Sequence, residues 1–324
     1  MHTRQISYSC SILSGTFLRA YLTTMRPYLL FVSGITVIAG LATGDAAPGI
    51  VAITAAAGFL SYGFGQALTD CFQTDTDALS SPYRPLVRGI VTTRQVAAVS
   101  LAGLTAVGIA FAIANPHNLW LAAVGALGLA TYTPFKRRWA TGPFYNAWIV
   151  ALLCYIGISA AAGGSRLPSL DRIDILLLAA AFFGYANFVL AGYFKDISAD
   201  RATGYNTFPV RFGWTAGAIG SDIFAVLSLV AVGTLLLDTP GTSSAAVAFF
   251  YVPACITSIT AQIRLHRLRD ERQAHRSISL VVHSYILQLS AAAAALQPEW
   301  LWPLVMYFLL YLAVLSRRPM KAQV

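Results

Sequence analysis

Asp70, Asp75 and Asp77 crowd into Thr69-Asp70-Cys71-Phe72-Gln73-Thr74-Asp75-Thr76-Asp77, and the chain runs on through Ser81-Pro82-Tyr83-Arg84-Pro85. A second acidic cluster, Lys195-Asp196-Ile197-Ser198-Ala199-Asp200-Arg201, follows more than a hundred residues later. These two stretches hold five of the 13 acidic residues in a chain that is 57% hydrophobic and only 11% charged. Hard carboxylate oxygens at this density suit Mg²⁺, which keeps waters and shares its shell with substrate phosphates. With arginine and lysine close by, the chemistry they suggest is the holding of a divalent metal against a diphosphate. The alternative is two acidic loops that balance a basic belt.

If the helix before the first cluster continues, Asp70 and Asp77 share a face with Gln73 between them, and Asp75 points elsewhere. Asp70 and Asp77 are therefore the favoured metal ligands, with Asp75 and Gln73 behind them. Asp196 and Asp200, four apart, also share a face. The cationic candidates are Arg84, fixed between Pro82 and Pro85 and able to offer a planar fork to phosphate, Lys136 after Thr131-Tyr132-Thr133-Pro134-Phe135, and Arg26 ahead of Pro27. Each could equally snorkel at a membrane boundary.

The elements that must position these residues are long apolar helices. A soluble domain carries about 25% charged residues, whereas this chain has a mean hydropathy of +0.64. Stretches of about twenty apolar residues, enough to cross a hydrocarbon core, recur at 27–44, 49–68, 95–114, 119–134, 144–163, 173–194, 215–237, 243–263, 277–296 and 300–315. Breakers such as Gly44-Asp45-Ala46-Ala47-Pro48, Gly163-Gly164-Ser165 and Asp238-Thr239-Pro240-Gly241 separate them. The last pair reads alternatively as one span plus a re-entrant piece.

The expected class is an all-α, polytopic membrane bundle of nine or ten helices around a central cavity, in one domain over residues 1–324. Residues 1–26 form an N-terminal segment, 69–94 the first Asp-rich loop and 195–213 the second. Met1 to Ser14 lacks an apolar core with a small-residue cleavage site and is not read as a signal peptide.

Ten spans place twenty of the 22 Lys and Arg residues, from Arg4 to Lys321, on one side of the bilayer. Only Arg166 and Arg172 fall on the other. The positive-inside rule makes the crowded side cytoplasmic, with both termini and both acidic loops there. The net charge of +9 thus reads as topology, and a nucleic-acid partner is not expected. The basic stretch from His266 to Arg276 reads as a solvated loop near anionic headgroups. Four scattered cysteines, with no paired spacing, argue against a disulfide framework or a zinc site.

The motifs resemble the UbiA superfamily of intramembrane prenyltransferases, whose members carry NDxxDxxxD after the second helix and DxxxD after the sixth. The likeness runs through Arg26-Pro27, Asp77-Ala78-Leu79-Ser80-Ser81-Pro82-Tyr83-Arg84-Pro85, Tyr132-Thr133-Pro134-Phe135-Lys136-Arg137 and Tyr193-Phe194-Lys195-Asp196-Ile197-Ser198-Ala199-Asp200-Arg201. Gly204, Phe208-Pro209-Val210 and Phe212-Gly213 extend it. Aligned on Asp77, the family's Asn is Thr69 and its middle Asp is Gln73, with an additional acid at Asp75. The usual count of spans in the family is nine.

The resemblance implies an allylic prenyl diphosphate lying between the clusters, bridged by Mg²⁺ on Asp70, Asp77, Asp196 and Asp200. Arg26, Arg84, Lys136 and Lys195 would neutralise the remaining oxygens, and Tyr132 would donate a hydrogen bond. The prenyl group would pass to a hydrophobic acceptor, aromatic or lipid. Family members that cyclise terpenes also show altered first motifs, so cyclisation without an acceptor is the alternative, and a non-catalytic lipid-binding or transport bundle is the third. Polar residues inside spans are costly unless they face a cavity or a partner. Asn146, Asn187, Asp222 and His283 are such residues, with Asp222 the favoured cavity carboxylate. Phe64, Tyr62, Tyr145, Trp148, Phe183, Tyr185 and Phe188 are candidates for the wall around a carbocation.

Overall fold

The computed structural model describes residues 10–164 and 166–318. Arg4 and Lys321, which entered the charge count, and Ser165 lie outside them. Helices make up every regular element among the described residues. The first, α1 (Gly15–Met25), meets the segment Pro27–Leu41 at a bend of 43°, and α2 (Leu30–Leu41) is the regular part of that segment. There follow α3 (Pro48–Asp70), the short α4 (Thr74–Ser80), α5 (Thr93–Ala114), α6 (Asn118–Arg138), α7 (Gly142–Ala162) and α8 (Arg172–Tyr193). A second short helix, α9 (Ile197–Ala202), precedes α10 (Phe208–Asp238). After it, α11 (Ser244–Ala246) passes through a π turn at Val247–Tyr251 into α12 (Val252–Leu268), and α13 (Ala274–Leu296) and α14 (Leu301–Ser316) complete the bundle.

Local signals set the ends. Thr92 and Gln95 form a reciprocal capping box at the start of α5, and Asp171 and Asp174 do the same for α8. Pro48, Pro143 and Pro209 occupy first-turn positions, where the missing N–H costs nothing. Gly213, with φ of 82°, kinks the first turns of α10, a left-handed geometry that only glycine adopts cheaply.

Among the described residues, eight helices are long and apolar enough to cross a bilayer, and the bent α1–α2 pair makes a ninth. The remaining predicted span, the fourth in chain order and observed as α6, falls short on apolarity, with Thr131, Tyr132, Thr133 and Pro134 diluting its last turns. It nevertheless runs the length of the bundle. The Asn118 amide bonds the carbonyls of Phe111 and Ile156 at one end, and Lys136 stands by Asp200 at the other. At 1.5 Å per residue its 21 residues span roughly 30 Å. The last pair consists of two separate helices rather than a span and a re-entrant piece. In the stretch containing α13, 83% of the apolar window is buried, against 17% for α14, so α13 is the central rod of the second half and α14 an outer one.

Tight packing fixes the first half. Gly40 on α2 and Gly157 on α7 face each other at backbone contact, and a Cβ on Gly157 would strike the Val37 carbonyl. Small residues permit this approach, which is how membrane helices gain dispersion contacts where lipid supplies no hydrophobic drive. Gly157→Val should therefore separate α2 from α7 and cost about 1–3 kcal/mol, the usual range for overpacking. A lowered thermal unfolding midpoint in detergent is the expected result, and an unchanged midpoint would refute the contact.

Candidate active site

The helix carrying Asp70 stops there. Cys71, Phe72 and Gln73 turn back on Leu68, Thr69 and Asp70 through backbone hydrogen bonds, and α4 begins afresh at Thr74. The continuous face expected for Asp70, Gln73 and Asp77 therefore does not form. Arg84 brings the two aspartates together instead. Its Nη1 pairs with Asp77 Oδ2 and lies 3.7 Å from Asp70 Oδ1. Arg26 Nη2 donates to both oxygens of Asp70, at 3.0 and 3.1 Å.

Arg26 reaches Asp70 because its own backbone is left-handed (φ 53°) at the bend between α1 and the Pro27 turn. That conformation costs a non-glycine residue on the order of 1–3 kcal/mol and marks positions held by their surroundings. Pro27, which occupies the first position of the following 3-10 turn, fixes the exit of the bend.

The second cluster repeats the pattern. Asp196 precedes α9 and Asp200 lies inside it, fully buried. Thr207 Oγ1 donates to Asp200 Oδ2 at 3.1 Å, while Lys136 Nζ stands 3.4 Å from Oδ1. The ammonium of Lys136 also lies 4.9 Å from the ring centroids of both Tyr193 and Tyr205. The two clusters meet directly, since the hydroxyls of Thr76 on α4 and Thr203 after α9 are 2.8 Å apart. The end of α6 spans the joint. Arg137 pairs with Asp75 at 2.5 Å, covers the Tyr205 ring and accepts from the Asn206 backbone N–H through its carbonyl.

Inward from this junction lies a cavity of about 190 Å³. Its polar end is lined by Asp77, Asp196, Arg26, Arg84, Lys136 and Lys195, with Thr69, Gln73, Tyr132 and Asn146 beside them. Its apolar end reaches Val107, Phe111 and Ile156 between α5, α6 and α7. Burial pushes the Asp77 carboxyl up to about 6 against the opposing pull of Arg84. It raises Asp200 as well, and it brings the Lys195 ammonium down to about 8. A buried carboxyl such as that of Asp77 and a buried ammonium such as that of Lys195 resist carrying charge alone and gain from a bound counter-ion.

The chain's similarities follow this geometry. Residues 29–286 match the UbiA prenyltransferase family. The chain belongs to that family. A digeranylgeranylglyceryl phosphate synthase from Natronomonas pharaonis is 32% identical over 201 residues, covering 60% of this chain and 70% of that one. The enzyme of the same name from Thermococcus gammatolerans is 26% identical over 278 residues, covering 85% and 97%. A chlorophyll synthase from Oryza sativa is 29% identical over 164 residues, covering 47% and 42%. The fold is shared with an apo UbiA homologue from Aeropyrum pernix (TM-score 0.69, 21% identity, 82% of this chain and 96% of that one). It is also shared with a UbiA homologue from Archaeoglobus fulgidus bound to GPP and Mg²⁺ (TM-score 0.66, 17% identity, 86% and 99%). The protein is thus a prenyltransferase and a multi-pass membrane protein.

Among the polar and aromatic candidates named from within the spans, several lie elsewhere. Asn187 accepts from Ser221 Oγ at 2.5 Å on the side of α8 that packs against α10. Tyr185, Phe188, Val189 and Gly192 take the cavity side of that helix. Asp222, expected in the cavity, pairs with His266 Nε2 at 2.7 Å across α10 and α12. Among the described residues, none from α10 or a later helix lines the cavity. His283 likewise packs against Phe308 and Tyr311. Of the aromatic wall, Tyr62, Tyr185 and Phe188 line the cavity. Phe64 packs on Tyr21, Tyr145 on Phe135, and Phe183 on Phe182, while Trp148 borders a separate outer groove. Sequence reasoning missed Gln66 and Tyr193, cavity-lining residues that also bond Asp70 and Tyr132. Their polarity inside apolar spans was the available signal.

Asp75 is the least enclosed carboxylate of its cluster, with a side chain 44% exposed, and its partner Arg137 is 39% exposed. It fastens α4 to α6 from outside the cavity. Asp75→Asn should cost under about 1 kcal/mol of stability, as exposed pairs do, and leave turnover close to wild type. Thermal unfolding at low and high salt checks the first expectation, since salt should erase the difference between variant and parent.

Proposed function

We propose that the protein ionises an allylic prenyl diphosphate with the help of Mg²⁺ and transfers the prenyl group to a hydrophobic acceptor. One observation carries this reading: Asp77 and Asp196, one from each acidic loop, border the same cavity as Arg26, Arg84, Lys136 and Lys195, and that cavity runs on to an apolar end at Val107, Phe111 and Ile156. The donor set fits the metal. Two carboxylates, Asp77 and Asp196, border one cavity, a partial oxygen shell of the kind Mg²⁺ completes with waters and phosphate oxygens, and among the described residues no three His, Cys, Asp or Glu side chains are grouped as a cage. Asp77 and Asp196 would hold it. Asp200, whose Oδ1 receives no hydrogen bond despite full burial, stands behind them. When bound, the metal neutralises charge developing on the departing diphosphate.

The chain's own residues complete the site. Arg84 is 7% exposed, borders the cavity, and has a buried Nε with no hydrogen-bond partner. Leaving such a donor unpaired is costly, and a phosphate oxygen would satisfy it. Arg26, Lys136 and Lys195 supply further positive charge, fixed before the substrate arrives and therefore without reorganisation cost during bond breaking. The Tyr132 hydroxyl, 2.7 Å from that of Tyr193, can turn its proton toward a diphosphate oxygen. After ionisation, the ring faces of Tyr62, Tyr185 and Phe188 stabilise the allylic cation, and the apolar walls exclude the water that would quench it. The acidic loops lie on the cytoplasmic side.

The test is mass spectrometry of products from purified protein in lipid nanodiscs, given geranyl, farnesyl and geranylgeranyl diphosphates with and without candidate acceptors. Diphosphate release that needs Mg²⁺, with prenylated acceptor as product, is expected. Release without acceptor and with cyclic hydrocarbon would replace transfer by cyclisation, and no release from any donor would reject both. Asp77→Ala and Asp196→Ala should each lower turnover by at least about 10²-fold, the scale for losing one preorganised electrostatic partner, while the variants retain the parent's gel-filtration profile.

A further inference from the structure

Asp70 occupies a different place from the other carboxylates. It is 1% exposed and absent from the cavity wall. It borders instead a small void behind Arg26 and Arg84, shared with Thr23, Thr24 and Pro85. The two arginines lie between it and the diphosphate cavity, because they border both spaces.

Its Oδ1 is crowded with donors, and its Oδ2 is paired with Arg26. Oδ1 accepts from Gln66 Nε2 at 2.6 Å, Gln73 Nε2 at 3.2 Å and Arg26 Nη2 at 3.0 Å, with Arg84 Nη1 at 3.7 Å. Oδ2 accepts from Arg26 at 3.1 Å. A carboxylate oxygen offers about two lone-pair directions, so Oδ1 already has more donors than it can serve well. Gln73 completes this shell as a donor, and an amide turned so that its N–H₂ points at Asp70 aims its carbonyl away. We infer that Asp70 is a positioning residue, which holds the guanidinium groups of Arg26 and Arg84 at the cavity wall and takes no place in the divalent-metal shell.

This inference rests on the diphosphate reading above and deepens it. It divides the acidic residues of the first loop into three roles. Asp77 faces the metal, Asp70 anchors the arginines and Asp75 fastens α4 to α6. The glutamine in the middle of the motif then belongs to the anchor, where a second carboxylate would compete for the same two arginines. Phosphate binding in this chain should accordingly lean on guanidinium groups more than on a metal held at the first motif.

The experiment uses the full-length protein in nanodiscs, with Mn²⁺ counted by electron paramagnetic resonance and inorganic pyrophosphate as the anion. In the parent protein, Mn²⁺ and pyrophosphate should bind together. Asp70→Asn should bind as many Mn²⁺ ions as the parent with an affinity within about threefold, while the pyrophosphate Kd rises about tenfold, the size of one lost charge-assisted contact. Asp77→Asn should lose Mn²⁺. Arg26→Lys, which keeps the charge but not the fork, should reproduce the Asp70→Asn pattern, and it carries the test if Asp70→Asn does not fold. Loss of Mn²⁺ in Asp70→Asn to the extent seen in Asp77→Asn overturns the inference while leaving the diphosphate reading intact. Absence of both Mn²⁺ and pyrophosphate binding in the parent overturns the diphosphate reading and this inference together.

Discussion

The site depends on burying opposite charges in contact. Asp70, Asp77, Asp200, Arg26, Arg84 and Lys136 are each at least nine-tenths buried near the ends of apolar helices. An ion so placed would cost several kcal/mol alone, and removing one partner of a buried pair is more damaging than never having built it. Every one of these six has an opposite charge within 4 Å. The pairing lets a membrane bundle keep a dense cluster of charges at one end of its cavity, and it holds cations ready at one wall.

The division of labour within the bundle follows from that chamber. Helices α2, α3, α5, α6, α7 and α8 enclose it, while α10 to α14 pack against the far side of α8 and around α13. The second group carries its own polar chain, from Asn187 through Ser221 to Gln262, and from Ser228 to Gln288. These contacts link polar side chains across helices and fix the helices' rotation about one another. The loop between α12 and α13 returns to the site from outside. Glu271 accepts from the backbone N–H and the hydroxyl of Ser198 at the first turn of α9, where a negative charge is favoured by the helix dipole.

Much of this was legible in the chain itself. Asp77, Asp196, Arg26, Arg84, Lys136, Lys195, Tyr132 and Asn146 were all named from type, spacing and motif, and all border one cavity. The helices were equally readable, because a run of about twenty apolar residues has few other stable forms. Rotation about a helix axis was not readable. Helices hydrophobic all round carry no stripe to show which side is inward, so Asn187 and Asp222 were assigned to the wrong face. The end of the second span was readable to within two residues, but the fresh start of α4 at Thr74, which takes Asp77 off the Asp70 face, was not, since Cys71 and Phe72 carry no turn signal.

One contact described above has a broader consequence. The two acidic loops are joined at Thr76 and Thr203 by a pair of neutral hydroxyls. Loops joined by ion pairs alone would drift apart or collapse inward whenever a doubly charged ion or a polyanion arrived and redrew the local field. A neutral tie takes no sides in that exchange. It ties the rim of the chamber by a contact that does not itself depend on the charge carried by the residues inside.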